Sequence, residues 1–172
     1  HYSLEKGRSK QKFPGSLMGT LALIKQTYLD AEWYDQGSVL EYNRSLESWN
    51  NLQEYPQFFE VKDKLDIGRI YQIANEFEVD YVVVGNGDEY QRVDELVKSG
   101  FAAIIPLNFP KVYDVSKPDD ADMVSLKQMK HWELAPSNPS ILIENDVFIA
   151  FTSNKLKNKS EFLENVKSAI RN

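Results

Sequence analysis

Cysteine is absent from this chain of 172 residues, and histidine occurs only at His1 and His131. The first absence excludes disulfides, thiolate nucleophiles and cysteine-ligated zinc together, while leaving the compartment open. The second leaves two imidazoles, far apart in sequence, for any metal site or triad. No G-x-S-x-G elbow occurs, so the strained turn that presents a nucleophilic serine is missing too. Nothing approaches the roughly 18 consecutive apolar residues of a membrane-spanning helix, and His1–Lys12 is polar and basic rather than signal-like. Positive charge is in deficit: 20 Lys and Arg stand against 26 Asp and Glu, with a net charge of -6. Backbone neutralisation of a nucleic acid needs clustered cations. The only dense clusters are Lys6, Arg8, Lys10 and Lys12 near the start and Lys155, Lys157 and Lys159 near the end. These read as solvated surface, with neither a nucleic acid nor a membrane as partner.

What is present is an ordinary globular composition, 42% hydrophobic and 27% charged, enough for one core of normal size. We expect a single domain over residues 1–172. A chain that begins on His1 rather than Met is expected to be cut from a longer one.

The strongest pattern lies between Gln57 and Ile105. Gln57–Val61, Asp80–Val84 and Phe101–Ile105 are short apolar runs, the first two each followed by an amphipathic helical pattern. Such runs suit parallel strands buried on both faces, with helices as crossovers. Asp63 is placed to cap the first helix, whose stripe is Ile67, Ile70, Ala74 and Phe77. Asp88 and Gln91 have capping-box spacing before the second, with Tyr90, Val93 and Val97 on one face. Val147–Phe151 is the fourth expected strand. Asn158 and Glu161 then cap a last helix that buries Phe162, Val166, Ala169 and Ile170.

Upstream, Ser16 after Pro14-Gly15 is an N-cap for a long helix carrying Leu17, Leu21, Ile24 and Tyr28 to about Trp33. The first twelve residues read as an irregular arm, and Tyr34–Tyr55 as a shorter helix with loops. Leu107–Pro136 breaks the rhythm with Pro110, Pro118 and the acidic Asp114–Asp122 stretch. It is read as a long excursion with a short helix around Leu126–His131, followed by Asn138-Pro139 as a cap and N1 proline.

The motifs are weak on chemistry. Gly85-Asn86-Gly87 sits between strand and helix as a dinucleotide loop would, but Tyr90 stands where the third glycine belongs, so it reads as a tight turn. Asp88-Glu89 reads as a pair of first-turn carboxylates complementing a helix dipole. His131 beside Trp132 reads as structural. Glu60 and Lys62 alternate with Val61 and so point the same way, which makes them a salt bridge or a site, with the salt bridge preferred.

Phe59-Glu60-Val61, Ile73-Ala74-Asn75-Glu76-Phe77, Tyr81-Val82-Val83-Val84-Gly85 and Asp88-Glu89-Tyr90 resemble the fifth and sixth strand-helix units of imidazolonepropionase-like amidohydrolases. Gly15-Ser16-Leu17-Met18, Gln26-Thr27-Tyr28-Leu29-Asp30-Ala31 and Trp33-Tyr34 are similar to the helix before them. Pro106-Leu107-Asn108 and Ala150-Phe151-Thr152 are similar to the ends of the seventh and eighth strands.

The resemblance implies a partial (β/α)₈ barrel of four parallel strands, the alternative being a small doubly wound sheet. It also implies one or two divalent metals held by a first-strand His-x-His, histidines ending the fifth and sixth strands and an aspartate ending the eighth. Here those ends carry Glu60, Gly85 or a neighbour, and Asn154 beside Ser153, and the first-strand pair is outside the chain. The expectation is therefore a catalytically silent amidohydrolase-like segment without cofactor or metal. Its candidate pocket residues are Glu60, Lys62, Gly85, Asn86, Asp88, Asn108 and Asn154. The expected partner is the rest of its own polypeptide, another amidohydrolase domain or a second copy. The resemblance points to a bacterial periplasmic or secreted protein, the alternative being a cytoplasmic one. Two other readings are an active C–N bond hydrolase using Glu60 as ligand or base with Lys62 beside it, and a small-molecule or peptide binding module built on Leu107–Pro136.

Overall fold

In a computed structural model that describes residues 1–37 and 41–172, five strands form one sheet in the order β1-β2-β3-β4-β5. They are β1 (Tyr2–Ser3), β2 (Gln57–Glu60), β3 (Tyr81–Val84), β4 (Ala102–Pro106) and β5 (Ile149–Thr152). Every neighbouring pair is parallel. Consecutive order with right-handed crossovers places all the connecting helices on one side of the sheet, which is the winding of a barrel segment and not of a doubly wound sheet.

The alternation along each strand agrees. Phe59, Val61, Tyr81, Val83, Ala103 and Ile105 are buried and share a core with Ile67, Ile70, Ala74, Leu96 and Leu142. Phe58, Glu60, Val82, Val84, Ala102 and Ile104 point to the other face, where they remain half-exposed. Register aligns these side chains in rows: Phe58, Val82 and Ala102 in one, and Ser3, Glu60, Val84, Ile104 and Ala150 in the next.

The fifth strand corrects the expectation of four. Tyr2–Ser3, expected in an irregular arm, pairs Tyr2 with Phe59 and Ser3 with Glu60. Its anchor is aromatic: Tyr2 stacks on Phe59 at 5.6 Å between ring centroids and meets Trp49 and Tyr81 edge-on at 5.5 Å. The outer edge of β2 is thus covered by β1, not by the Tyr34–Tyr55 or Leu107–Pro136 segments.

The helices are α1 (Leu17–Asp35), α2 (Arg44–Leu52), α3 (Asp66–Phe77), α4 (Val93–Ser99), α5 (Pro118–Asp122), α6 (Leu126–Leu134), α7 (Asn138–Glu144) and α8 (Phe162–Arg171). Residues 38–40, within the stretch read as a short helix with loops, lie outside the described residues. Ser16 caps α1 as expected, accepting from the Gly19 amide at 3.1 Å.

Other caps differ. Asp66 rather than Asp63 closes the start of α3, accepting from the Lys62 and Asp63 amides, while Asp63 holds only the Leu65 amide. Asp88 and Gln91 form no capping box: a 3₁₀ turn at Glu89–Arg92 intervenes, and Gln91 instead accepts from Lys64 Nζ. That turn rotates α4, so Leu96 is its buried anchor and Val97 is exposed. Asn138 does not cap its own helix either. In α8 only Ala169 is buried, and Ile170 is 77% exposed. Among the described residues no helix is long and apolar enough to cross a membrane.

Candidate functional site

In folds of this winding, side chains from successive strands converge at the carboxyl ends, where the loops after each strand meet. Here that rim comprises Glu60 and Lys62 after β2, the Gly85–Glu89 loop after β3, Asn108 after β4 and the Thr152–Lys155 turn after β5.

Its centre is a residue that the sequence pattern assigns elsewhere. Glu89, read as a first-turn carboxylate, is 1% exposed. Its side chain folds back over its own loop. Oε1 accepts from the Asn86 amide and, at 2.9 Å, from the Gly87 amide; Oε2 accepts from Gly87 at 3.2 Å and from Asn138 Nδ2 at 2.7 Å. Among the described residues no Lys or Arg forms an ion pair with it. The charge is held by backbone dipoles, as in an anion nest. Gly85 makes the arrangement possible, because a β-carbon there would lie 2.2 Å from Glu89 Oε1. Asn138, expected as a helix cap, ties α7 to this loop: its Oδ1 accepts from the Tyr90 amide at 2.8 Å.

Around this buried carboxylate stand four of the seven residues singled out from sequence. Gly85 is buried, and its amide donates to Ile104 O at 2.8 Å. Asn86 accepts on Oδ1 from Lys155 Nζ at 3.2 Å, and the same ammonium donates to Gly85 O at 3.0 Å. Asn108 Oδ1 closes over Gly87, 3.3 Å from where a β-carbon would stand. Asp88 is half-buried, and its carboxyl is pushed up to about 6 by burial first and then by the negative charges of Glu89 and Asp63.

The other three do not join them. Lys62 is turned away to the Glu5 carboxylate, so the expected Glu60–Lys62 salt bridge is replaced by Lys62–Glu5. That contact raises the Lys62 pKa. Glu60 remains half-buried on the open face of the sheet, beside Val84 in register. Asn154 is exposed and accepts only from the Lys155 amide, while Lys155, with a left-handed φ of 67°, makes the reach inward. Glu89, Asn138 and Lys155 are the residues that sequence reasoning missed. The one local signal was Gly85, a glycine at a strand end in front of a carboxylate.

The donor set does not suit the divalent metals that the resemblance implies. Zinc takes three or four nitrogen, sulfur or carboxylate donors converging at about 2.0–2.3 Å. Both Glu89 oxygens are taken by amides. Gly85 O and Asn86 Oδ1 hold an ammonium, whose positive charge opposes a second cation a few ångströms away. Among the described residues no three His, Asp or Glu side chains come together as a ligand set.

His131 lies off this rim. It stacks on Tyr90, with the tyrosine hydroxyl 3.1 Å from Nδ1, and burial lowers its pKa first of all.

No protein-family model matches the chain, and no curated protein matches it in sequence. Among solved structures, its fold is similar to that of an amidohydrolase from Thermotoga maritima MSB8, with a TM-score of 0.66 and 16% sequence identity over 92% of this chain. The chain spans 41% of the length of that protein. At such identity the likeness is one of architecture, and the chain has an amidohydrolase-like α/β fold of five consecutive parallel strands.

Proposed function

We propose that this chain is a structural segment of a larger, imidazolonepropionase-like amidohydrolase barrel, catalytically silent at its own rim, which packs against the remainder of that barrel. Five strands in consecutive order correspond to five of the eight that close such a barrel. The observation that carries the silent reading is Lys155, whose ammonium lies on Gly85 O and Asn86 Oδ1 where the strand-end loops converge. Glu60, at the end of β2, forms no ion pair among the described residues. The partner in this reading is the rest of the same polypeptide or a second barrel domain, in a bacterial protein that works in the periplasm or outside the cell.

Elemental analysis of protein purified without chelator, then dialysed against zinc and manganese, tests the reading. Far less than one equivalent of either metal should remain. One tightly held ion per chain overturns it.

One observation favours a second reading, that the complete protein is an active C–N bond hydrolase. Asp88, held near 6, is poised to exchange a proton close to neutral pH. In that case Asp88→Asn in the complete protein lowers hydrolysis of small amides with little change in substrate affinity.

A further inference from the structure

Helix α6 stands off the body of the fold. Its start is well made, with Ser125 and Gln128 closing a capping box, yet of its side chains only His131 is half-buried and the rest are exposed. Between α6 and the Glu89–Arg92 turn lies an open cleft of about 360 Å³, at the small end of ligand pockets, roughly 300–1,000 Å³. Tyr90 and Gln91 line it from the turn, and Leu126, Lys127, Lys130 and Leu134 from the helix. Leu126, Lys130 and Leu134 are spaced by four and share one face, with Lys127 beside them.

The polar groups of the turn are already engaged. Gln91 Nε2 donates to the Tyr90 hydroxyl at 3.3 Å, and Gln91 Oε1 accepts from Lys64 Nζ at 2.9 Å. The Tyr90 hydroxyl directs its own proton to His131 Nδ1 at 3.1 Å. What is left unsatisfied belongs to α6 and is of two kinds. Leu126 and Leu134 hold apolar surface in water, and Lys127 and Lys130 form no ion pair among the described residues. These two ammoniums are neighbours on the helix surface, three residues apart, so each destabilises the other. No Asp or Glu lines the cleft among the described residues, although acidic residues outnumber basic ones in the chain.

From the cleft, its apolar walls and its uncompensated positive charge together, we infer that it binds a small carboxylic acid with an unbranched apolar tail, of the medium-chain fatty-acid class. The tail covers Leu126, Leu134 and the Tyr90 ring, which removes apolar area from water. The carboxylate bridges Lys127 and Lys130, accepting a charge-assisted hydrogen bond from each and relieving their repulsion. Exposed ion pairs contribute little by themselves. The tail therefore supplies most of the affinity, and the lysines select the sign of the charge.

His131 reports on this site, because it borders the cleft through Tyr90 and its pKa responds to burial first, then to Glu89 and then to Lys127. The one other histidine, His1, serves as an internal reference. In NMR spectra the imidazole C–H signals of His131, identified from His1→Ala, should shift saturably on titration with sodium octanoate, while His1 and the Trp33 indole stay in place. Octan-1-ol has the tail without the charge and acetate the charge without the tail, so each should act many-fold more weakly; octylamine, of the opposite charge, should not act. Lys127→Met with Lys130→Met should weaken the octanoate response several-fold, and unchanged Trp33 and Trp49 indole signals show that the fold is kept. A His131 signal indifferent to octanoate, or moved equally by acetate, octan-1-ol or octylamine, would overturn the inference. So would an octanoate response that the double substitution leaves intact.

Discussion

Glu89 shows how a single residue organises the rim. A carboxylate this deeply buried is tolerated only if its lone pairs are satisfied, and the Asn86 and Gly87 amides with Asn138 do so. The cost falls on Gly85. With a β-carbon built 2.2 Å from Glu89 Oε1, Gly85→Ala must displace a carboxylate that three groups hold in place. We expect a loss of about 1–3 kcal/mol, measured by urea unfolding. An alanine variant as stable as the parent would mean that the glutamate is free to move.

Asp88 gives a pH signature. Its carboxyl titrates at about 6 in the folded chain against 3.8 for the free group, so the folded state holds the proton more tightly. Its contribution to stability is therefore full below pH 3.8 and is lost as the pH rises through about 6. Asp88→Asn should flatten that part of the pH dependence and be the more stable protein, relative to the parent, at pH 7. Denaturation midpoints at several pH values between 4 and 7 test this; parallel profiles for the two proteins would count against a raised carboxyl.

At the scale of elements, β1 is the least expected feature. Two residues are too few for a hydrophobic alternation to register, so Tyr2–Ser3 carries no strand signal of its own. The strand exists because Tyr2 fits an aromatic cluster with Phe59, Tyr81 and Trp49. A chain of hydroxyls reinforces it: Tyr28 donates to Tyr2 at 3.1 Å and lies 2.7 Å from the Tyr81 hydroxyl. Burial and these contacts push the Tyr28 hydroxyl pKa far above its ordinary range. Tyr2→Ala should cost about 2–3 kcal/mol through lost packing and release β1 from β2. Hydrogen exchange reads the second effect, as faster exchange along β2; unchanged protection there would show that β1 contributes nothing to the edge.

The same contrast explains what was legible. β2 to β5 and α3 were readable because each is a run with a period, bounded by turns. Helix starts were less so, since Asp66 and a 3₁₀ turn took roles that Asp63 and the Asp88–Gln91 pair were equally suited to by spacing. At the rim, the loop after β3 was readable from its glycines, whereas Glu89, Asn138 and Lys155 were not. Their contacts join residues 49 and 70 positions apart, which no local pattern records.

For the molecule as a whole, the helix-bearing face of the sheet is closed and the other is open. Phe58, Val82, Val84 and Ile104 remain half-exposed there. The β5 end is apolar as well: Phe148 is 77% and Phe151 37% exposed, and on α8 Leu163 and Ile170 are 68% and 77% exposed, seven residues apart and hence on one side of the helix. Exposed strand edges and apolar faces of this kind drive association. In the larger barrel proposed above, the remaining strands and helices would cover them.

Light scattering across a dilution series tests the barrel-segment account most directly. Isolated chain should show a weight-average mass well above its 19.9 kDa at high concentration, falling toward that value on dilution, as copies cover one another's open surfaces. A mass of 19.9 kDa at every concentration would contradict the account, because the chain would then be complete without a partner.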